Sequence, residues 1–103
     1  MILSDIDFEA ITQGRHSAPH QVLGMHQLAD GGAVLRALLP LAKGVVGVPV
    51  HETRRPVIPL WRVGESDLFE GVEEQANDVY AYDLAITWGS GEQWRTRDAF
   101  SFL

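Results

Sequence analysis

The chain has 103 residues, 46% of them hydrophobic and none of them cysteine, which suits one compact domain and excludes a disulfide framework, a thiolate metal site and a thiol nucleophile. Eight basic residues stand against 14 acidic ones, a formal net charge of −6. Basic side chains adjoin only at Arg54-Arg55 and Arg95/Arg97, which argues against nucleic-acid or anionic-membrane partners, because phosphates need a concentrated positive surface, whereas a neutral sugar does not.

Ser4-Asp5-Ile6-Asp7 has the form of a helix start and Gly14 offers a stop, which predicts a helix over residues 4–13. The same opening carries acids where a signal peptide carries positive charge. No apolar run nears the roughly 20 residues of a membrane span, so the expected location is cytoplasmic. Pro19 breaks the helix and predicts an extended segment over residues 21–28. Asp30-Gly31-Gly32 is a turn signal, and residues 33–39 form the most apolar run, a central strand closed by Pro40. A third strand follows at residues 45–50. A polar hairpin, His51-Glu52-Thr53-Arg54-Arg55, leads into a fourth at residues 56–61. Pro56 and Pro59 have no N–H to give a ladder, which predicts that this strand lies at a sheet edge.

Residues 68–72 form a fifth short strand, and Ala76-Asn77-Asp78 a turn. The clearest alternation comes next: Tyr80, Tyr82, Leu84, Ile86 and Trp88 are predicted to face the core, with Val79, Ala81, Asp83, Ala85 and Thr87 on the other side. Gly89-Ser90-Gly91 turns the chain into a seventh strand around residues 92–96, before an irregular tail, Phe100-Ser101-Phe102-Leu103. About seven short strands, with turn signals about every 8 to 12 residues, predict an all-β fold: an immunoglobulin-like β-sandwich. The helix at about 4–13 and the sandwich at about 20–103 are expected to form a single domain over residues 1–103.

Gly14-Arg15-His16-Ser17, Pro19 and Val22-Leu23-Gly24-Met25-His26 resemble the signature that opens bacterial glycogen (1,4-α-glucan) branching enzymes: glycine-x-histidine, proline, then valine-leucine-glycine-methionine-histidine. The similarity continues in order through Leu35-Arg36-Ala37-Leu38-Leu39-Pro40, Leu68-Phe69-Glu70-Gly71-Val72 and Tyr82-Asp83-Leu84-Ala85-Ile86-Thr87-Trp88, and so spans nearly the whole chain. Two places depart. The family leaves this module with aspartate-proline-tyrosine-x-phenylalanine, where this chain has Asp98-Ala99-Phe100-Ser101-Phe102, and Trp61 stands where relatives tend to carry a polar residue.

The resemblance implies the N-terminal module of such an enzyme, in glycogen biosynthesis. In the family the chain continues into a second sandwich of the family 48 carbohydrate-binding type, a (β/α)₈ barrel with carboxylate nucleophile and acid/base, and a C-terminal β domain. None of these fits in 103 residues. The complete enzyme cuts an α-1,4 chain and rejoins it through an α-1,6 bond, and the first sandwich influences which glucan chains are handled. The implied partners are the neighbouring carbohydrate-binding and catalytic domains, together with α-glucan, and no cofactor is implied.

Glycosyl transfer with retention needs two carboxyl groups about 5 Å apart. Asp5/Asp7, Asp67/Glu70 and Glu73/Glu74 are the candidate pairs. Each is expected to be a solvated acid of a helix start, loop or turn, since a sandwich edge offers no deep pocket, and no catalytic residue is expected. His16, His20, His26 and His51 match no zinc-site spacing, and no metal is expected. A nucleophile built on Ser17 is disfavoured as well. Gly14, His16, Pro19, Leu23, Gly24 and His26 belong to the signature and have a structural role, with His16 and His26 ordering the helix-to-strand loop through hydrogen bonds to backbone groups.

A glucan site would use aromatic faces against the C–H patches of the sugar. Trp88 continues the inward alternation and belongs to the core. Trp94 falls between core and surface, and Trp61, after a proline-bearing strand and before Arg62, is the best exposed. Trp61 and Trp94 are therefore the candidate glucan-binding residues, with domain docking as the competing role for an exposed indole. Tyr80 or Tyr82 suits a tyrosine corner, whose hydroxyl bonds a neighbouring backbone group. Gly24, Gly31, Gly32, Gly89 and Gly91 suit turns or bulges, and no glycine-rich loop precedes a helix as a phosphate cradle would. Three functions stay open: an accessory module, a free-standing carbohydrate-binding module, or a structural interaction sandwich with Phe100, Phe102 and Leu103 as an apolar tail for a following domain.

Overall fold

Ser4 sets the first element. Its Oγ accepts a hydrogen bond from the Asp7 N–H at 3.2 Å and donates to Asp7 Oδ2 at 3.1 Å, and this cap starts α1 at Asp5–Thr12. At the other end Gly14 adopts φ +70°, the Gly14 N–H bonds the Ile11 carbonyl and the Arg15 N–H bonds that of Ala10, the paired bonds of a Schellman end. The computed structural model describes residues 2–51 and 54–101. Glu52 and Thr53 of the expected hairpin, and Phe102 and Leu103 of the expected apolar tail, lie outside the described residues.

Pro19 does not open an extended segment, contrary to expectation. It is the first residue of a 3-10 turn, Pro19–Gln21, and its carbonyl accepts from the N–H groups of both Val22 and Leu23. A fixed φ suits the first position of such a turn, so strand β1 is delayed to Gly24–Gln27. The remaining strands are β2 (Ala33–Leu38), β3 (Ala42–Pro49), β4 (Ile58–Arg62), β5 (Leu68–Glu73), β6 (Tyr82–Trp88) and β7 (Gln93–Arg97). β3 begins ahead of the expected residue 45, because a register shift between Ala42 and Gly44 admits the turn segment to the β6 ladder as a bulge.

The strands are ordered β1-β2-β5-β4-β3-β6-β7, with every neighbouring pair antiparallel. β4 joins the halves: its residues 58–60 ladder with β3, and Trp61 and Arg62 ladder with β5. Leu35 of β2, Phe69 of β5, Val45 of β3, and Leu84 and Ile86 of β6 meet in one buried cluster, so the curled sheet packs its two halves face to face as an immunoglobulin-like sandwich. Tyr82, Leu84 and Ile86 are buried, and Tyr80 and Trp88 pack against the same cluster from partly buried positions, as the alternation predicts.

The prolines misplace β4 in the sequence, since it lies at the middle of the sheet order and not at an edge. Pro59 sits opposite Val46, between the facing pairs Gly47↔Ile58 and Val45↔Leu60. Its carbonyl oxygen points toward Gly71 of β5, 2.5 Å from where a Cβ on Gly71 would stand. In a strand the N and O of one residue point to the same side, so the missing N–H also faces β5, short of where that ladder starts at Trp61. Proline therefore removes no ladder bond at that position.

β2 is covered on both faces, which is why it reads as a nearly unbroken apolar run. Ala33, Leu35 and Ala37 join the interior cluster. On the outer side Ile11 of α1 packs with Val22, Leu23 and Leu68, and Phe8, Leu38 and Phe100 lie against them. No helix among the described residues is long and apolar enough to cross a membrane.

Candidate functional site

Glu70 and Arg36 face each other directly across the β5–β2 ladder, and Glu70 is completely buried. Arg36 Nε donates to Glu70 Oε2 at 3.0 Å, Arg36 Nη1 donates to the Val22 carbonyl at 3.2 Å, and the Ile2 N–H donates to Glu70 Oε1 at 3.2 Å. The expectation that Glu70 is a solvated acid is thus corrected. A carboxylate at full burial needs a partner charge and hydrogen bonds, and Glu70 has both. Its would-be partner Asp67 is exposed in the preceding turn. The signal was present in the sequence as one cation and one anion, each interrupting an otherwise apolar strand.

Tyr82 makes a second buried polar contact. Its hydroxyl donates to Asp98 Oδ2 at 2.5 Å, which corrects the expectation that a tyrosine corner here bonds the backbone. Asp98 Oδ1 accepts from the Phe100 N–H at 3.2 Å, so one carboxylate fixes both β6 and the exit segment. Phe100 then passes over Gly24, with its carbonyl oxygen 2.9 Å from the place a Gly24 Cβ would take. The signature glycine leaves room for the returning chain.

Burial first, and then the Asp98 hydrogen bond, push the Tyr82 phenol well above its ordinary value of 10.0. A folded-state pKa above the unfolded one gives stability that is complete below about pH 10 and lost as pH rises beyond it. Tyr82→Phe is expected to cost about 1–3 kcal/mol at neutral pH, because it leaves the buried Asp98 short of a partner, and to flatten the alkaline fall in stability. Urea unfolding at neutral pH and near pH 10.5 checks both.

Of the signature histidines, His16 lies in the helix-to-strand loop and His26 lies in β1. His16 Nδ1 accepts from the Ala18 N–H at 3.0 Å, which leaves the ring proton on Nε2 to donate to Asp7 Oδ1 at 3.0 Å. His26 Nε2 donates to the Leu23 carbonyl at 2.9 Å. Leu23 is buried, while His20 and His51 are exposed and far from forming a cluster. Among the described residues no group of three or more His, Asp or Glu gathers to hold a metal.

Trp61 and Trp94 fall on opposite faces. Trp61 is 50% exposed on the outer side of β4, alternating with buried Ile58 and Leu60. Trp94 pairs with buried Ile86 and so points to the interior side, yet it is 57% exposed. Trp94 and Trp88 meet edge to face, 5.8 Å between ring centres at 82°, and Trp94 Nε1 donates to Glu92 Oε2 at 3.3 Å. The two indoles line an open groove of about 730 Å³ together with Leu41, Lys43, Arg62 and Glu92. Trp88 therefore serves the core and the groove together, a dual position that period-2 alternation cannot reveal.

Leu41 closes one side of this groove. The Ala42 N–H bonds the Leu39 carbonyl, with Pro40 at the second position of the turn and Leu41 at the third with φ +69°, the geometry of a type II turn. Glycine ordinarily fills that third position, and Leu41 is also 84% exposed. Leu41→Gly is expected to raise stability by up to about 1 kcal/mol by relieving the left-handed strain, and thermal unfolding checks it.

The profile of the family described as alpha-1,4-glucan branching enzyme GlgB, N-terminal domain, matches residues 4–100. This chain belongs to that family. As a GlgB N-terminal domain it is 35% identical over 102 residues to the 1,4-alpha-glucan branching enzyme GlgB of Roseobacter denitrificans, which covers 99% of this chain and 14% of that enzyme. It is 34% identical over 101 residues to GlgB 2 of Streptomyces coelicolor, covering 98% of this chain and 13% of the relative. Over 80 residues it is 38% identical to the branching enzyme of Bradyrhizobium sp., covering 78% of this chain and 10% of the relative. This chain thus spans only 10% to 14% of the length of those enzymes.

Proposed function

We propose that residues 1–103 act as one noncatalytic accessory module of a cytoplasmic α-1,4-glucan branching enzyme, packing on the neighbouring domains and guiding glucan chains to a separate barrel where α-1,4 segments are rejoined through α-1,6 bonds. The observation that carries this role is the fate of Glu70: the one fully buried acid of the candidate catalytic pairs is held by Arg36 and the Ile2 N–H, and so serves architecture. Asp98 is likewise engaged by Tyr82 and the Phe100 N–H. Family membership supplies the glucan context.

The test is a domain exchange. The Roseobacter denitrificans enzyme is prepared intact, without its N-terminal domain, and with this chain in that domain's place, and the lengths of the branches each form makes are compared. The expected result is that deletion shifts the distribution and the exchanged chain restores it. An unchanged distribution in the deleted enzyme contradicts the accessory role.

A further inference from the structure

We propose that the groove between the β2–β3 turn and the β6–β7 hairpin is a binding site for a linear α-1,4-glucan, with Trp94 as its stacking platform. The inference rests on the glucan-handling role proposed above and names the surface that performs it. Every residue of β7 is exposed, so Trp94 points to the interior side of the sandwich without the cover that burial of Ile86 provides on β6. Its indole is nonetheless fixed, with Glu92 holding Nε1 and Trp88 meeting the ring edge to face. A rigid, wet aromatic face beside the exposed Leu41 is an uncovered apolar floor of the kind that marks a binding surface.

The rim decides which occupant fits. Arg62 donates to the carbonyls of Ala42 and Ser66 and lies 4.8 Å over the Phe69 ring, which places its guanidinium at the groove wall. Lys43, Ser90 and Glu92 add donors and an acceptor around the same opening. A glucose ring has the matching pattern, an apolar C–H face bordered by hydroxyls. A polyanion, by contrast, meets a chain of net charge −6. The volume of about 730 Å³ lies within the roughly 300–1,000 Å³ of ligand clefts.

The test is titration of the 103-residue chain with maltoheptaose, followed by amide and indole NMR shifts. The expected result is saturable movement of Gly89, Ser90 and Glu92 amides and of the Trp88 and Trp94 indoles. Trp94→Ala is expected to weaken binding about tenfold or more, and Trp61→Ala, on the opposite face, to leave it unchanged. Glu92→Ala, which frees the indole without touching the ladder, gives a second measure, expected at about threefold. Shifts centred on Trp61 overturn the groove while leaving glucan handling in place. Absence of any shift at millimolar sugar also overturns the groove, and the domain exchange then decides the accessory role by itself.

Discussion

Arg36→Met is expected to cost about 3–5 kcal/mol, because it leaves Glu70 charged and completely buried with only the Ile2 N–H among its described donors. Against a typical domain stability of about 5–15 kcal/mol, a loss of that size removes much of the folding free energy. The cause is the uncompensated charge, so the double variant Arg36→Met with Glu70→Leu is expected to recover most of it, as hydrophobic replacement of buried pairs often does. Urea unfolding of the two variants beside the unchanged chain measures both effects. Equal losses in the single and double variants would show that packing, and not charge, holds this position. The Asp83 pair gives the opposite limit. Arg97 and Arg95 bond its carboxylate at 3.0 and 3.1 Å and hold it below the usual carboxylate range, with Arg97 the larger cause. That site is open to solvent, and removing one partner there is expected to cost less than about 1 kcal/mol.

Gly24→Ala is expected to cost about 2–5 kcal/mol, the sum of two independent effects. At φ +93° a side chain is strained by roughly 1–2 kcal/mol. The new methyl would also lie 2.9 Å from the Phe100 carbonyl oxygen and 3.0 Å from its Cβ, a clash expected to add about 1–3 kcal/mol as the exit segment shifts. The displacement should loosen the Tyr82–Asp98 contact as well, because Asp98 Oδ1 holds the Phe100 N–H. Thermal unfolding gives the loss, and the Tyr82 ring shifts in NMR report the loosening. Gly14→Ala is the control, for Gly14 also has positive φ but open space around its Cβ position, so it should show the strain alone.

Features set by local chemistry were legible in the sequence. The Ser4 cap, the Gly14 stop and the alternation through β6 depend on residues a few positions apart, and each appears where the pattern puts it. Misplaced features depend on what arrives from elsewhere in the chain. Pro59 suggests an edge because a missing N–H is harmful only if a neighbour needs it, and the late start of the β5 ladder decides that it does not. Glu70 looks like an ordinary acid beside Asp67 until Arg36 is brought opposite it from 34 residues away. Trp94 is exposed together with every other residue of β7 although its ladder partner Ile86 is buried, a difference that alternation within β7 does not encode. The signature glycine at position 24 had a recognisable place in the motif, but its steric reason comes from the far end of the chain.

The most direct test of the central claim uses the 103-residue chain alone with linear amylose, counting α-1,6 linkages by their anomeric proton signals. If its acids serve structure and the chemistry belongs to another domain, the count stays at the level of a protein-free control at every protein concentration. A number of α-1,6 linkages that grows with added protein would contradict that.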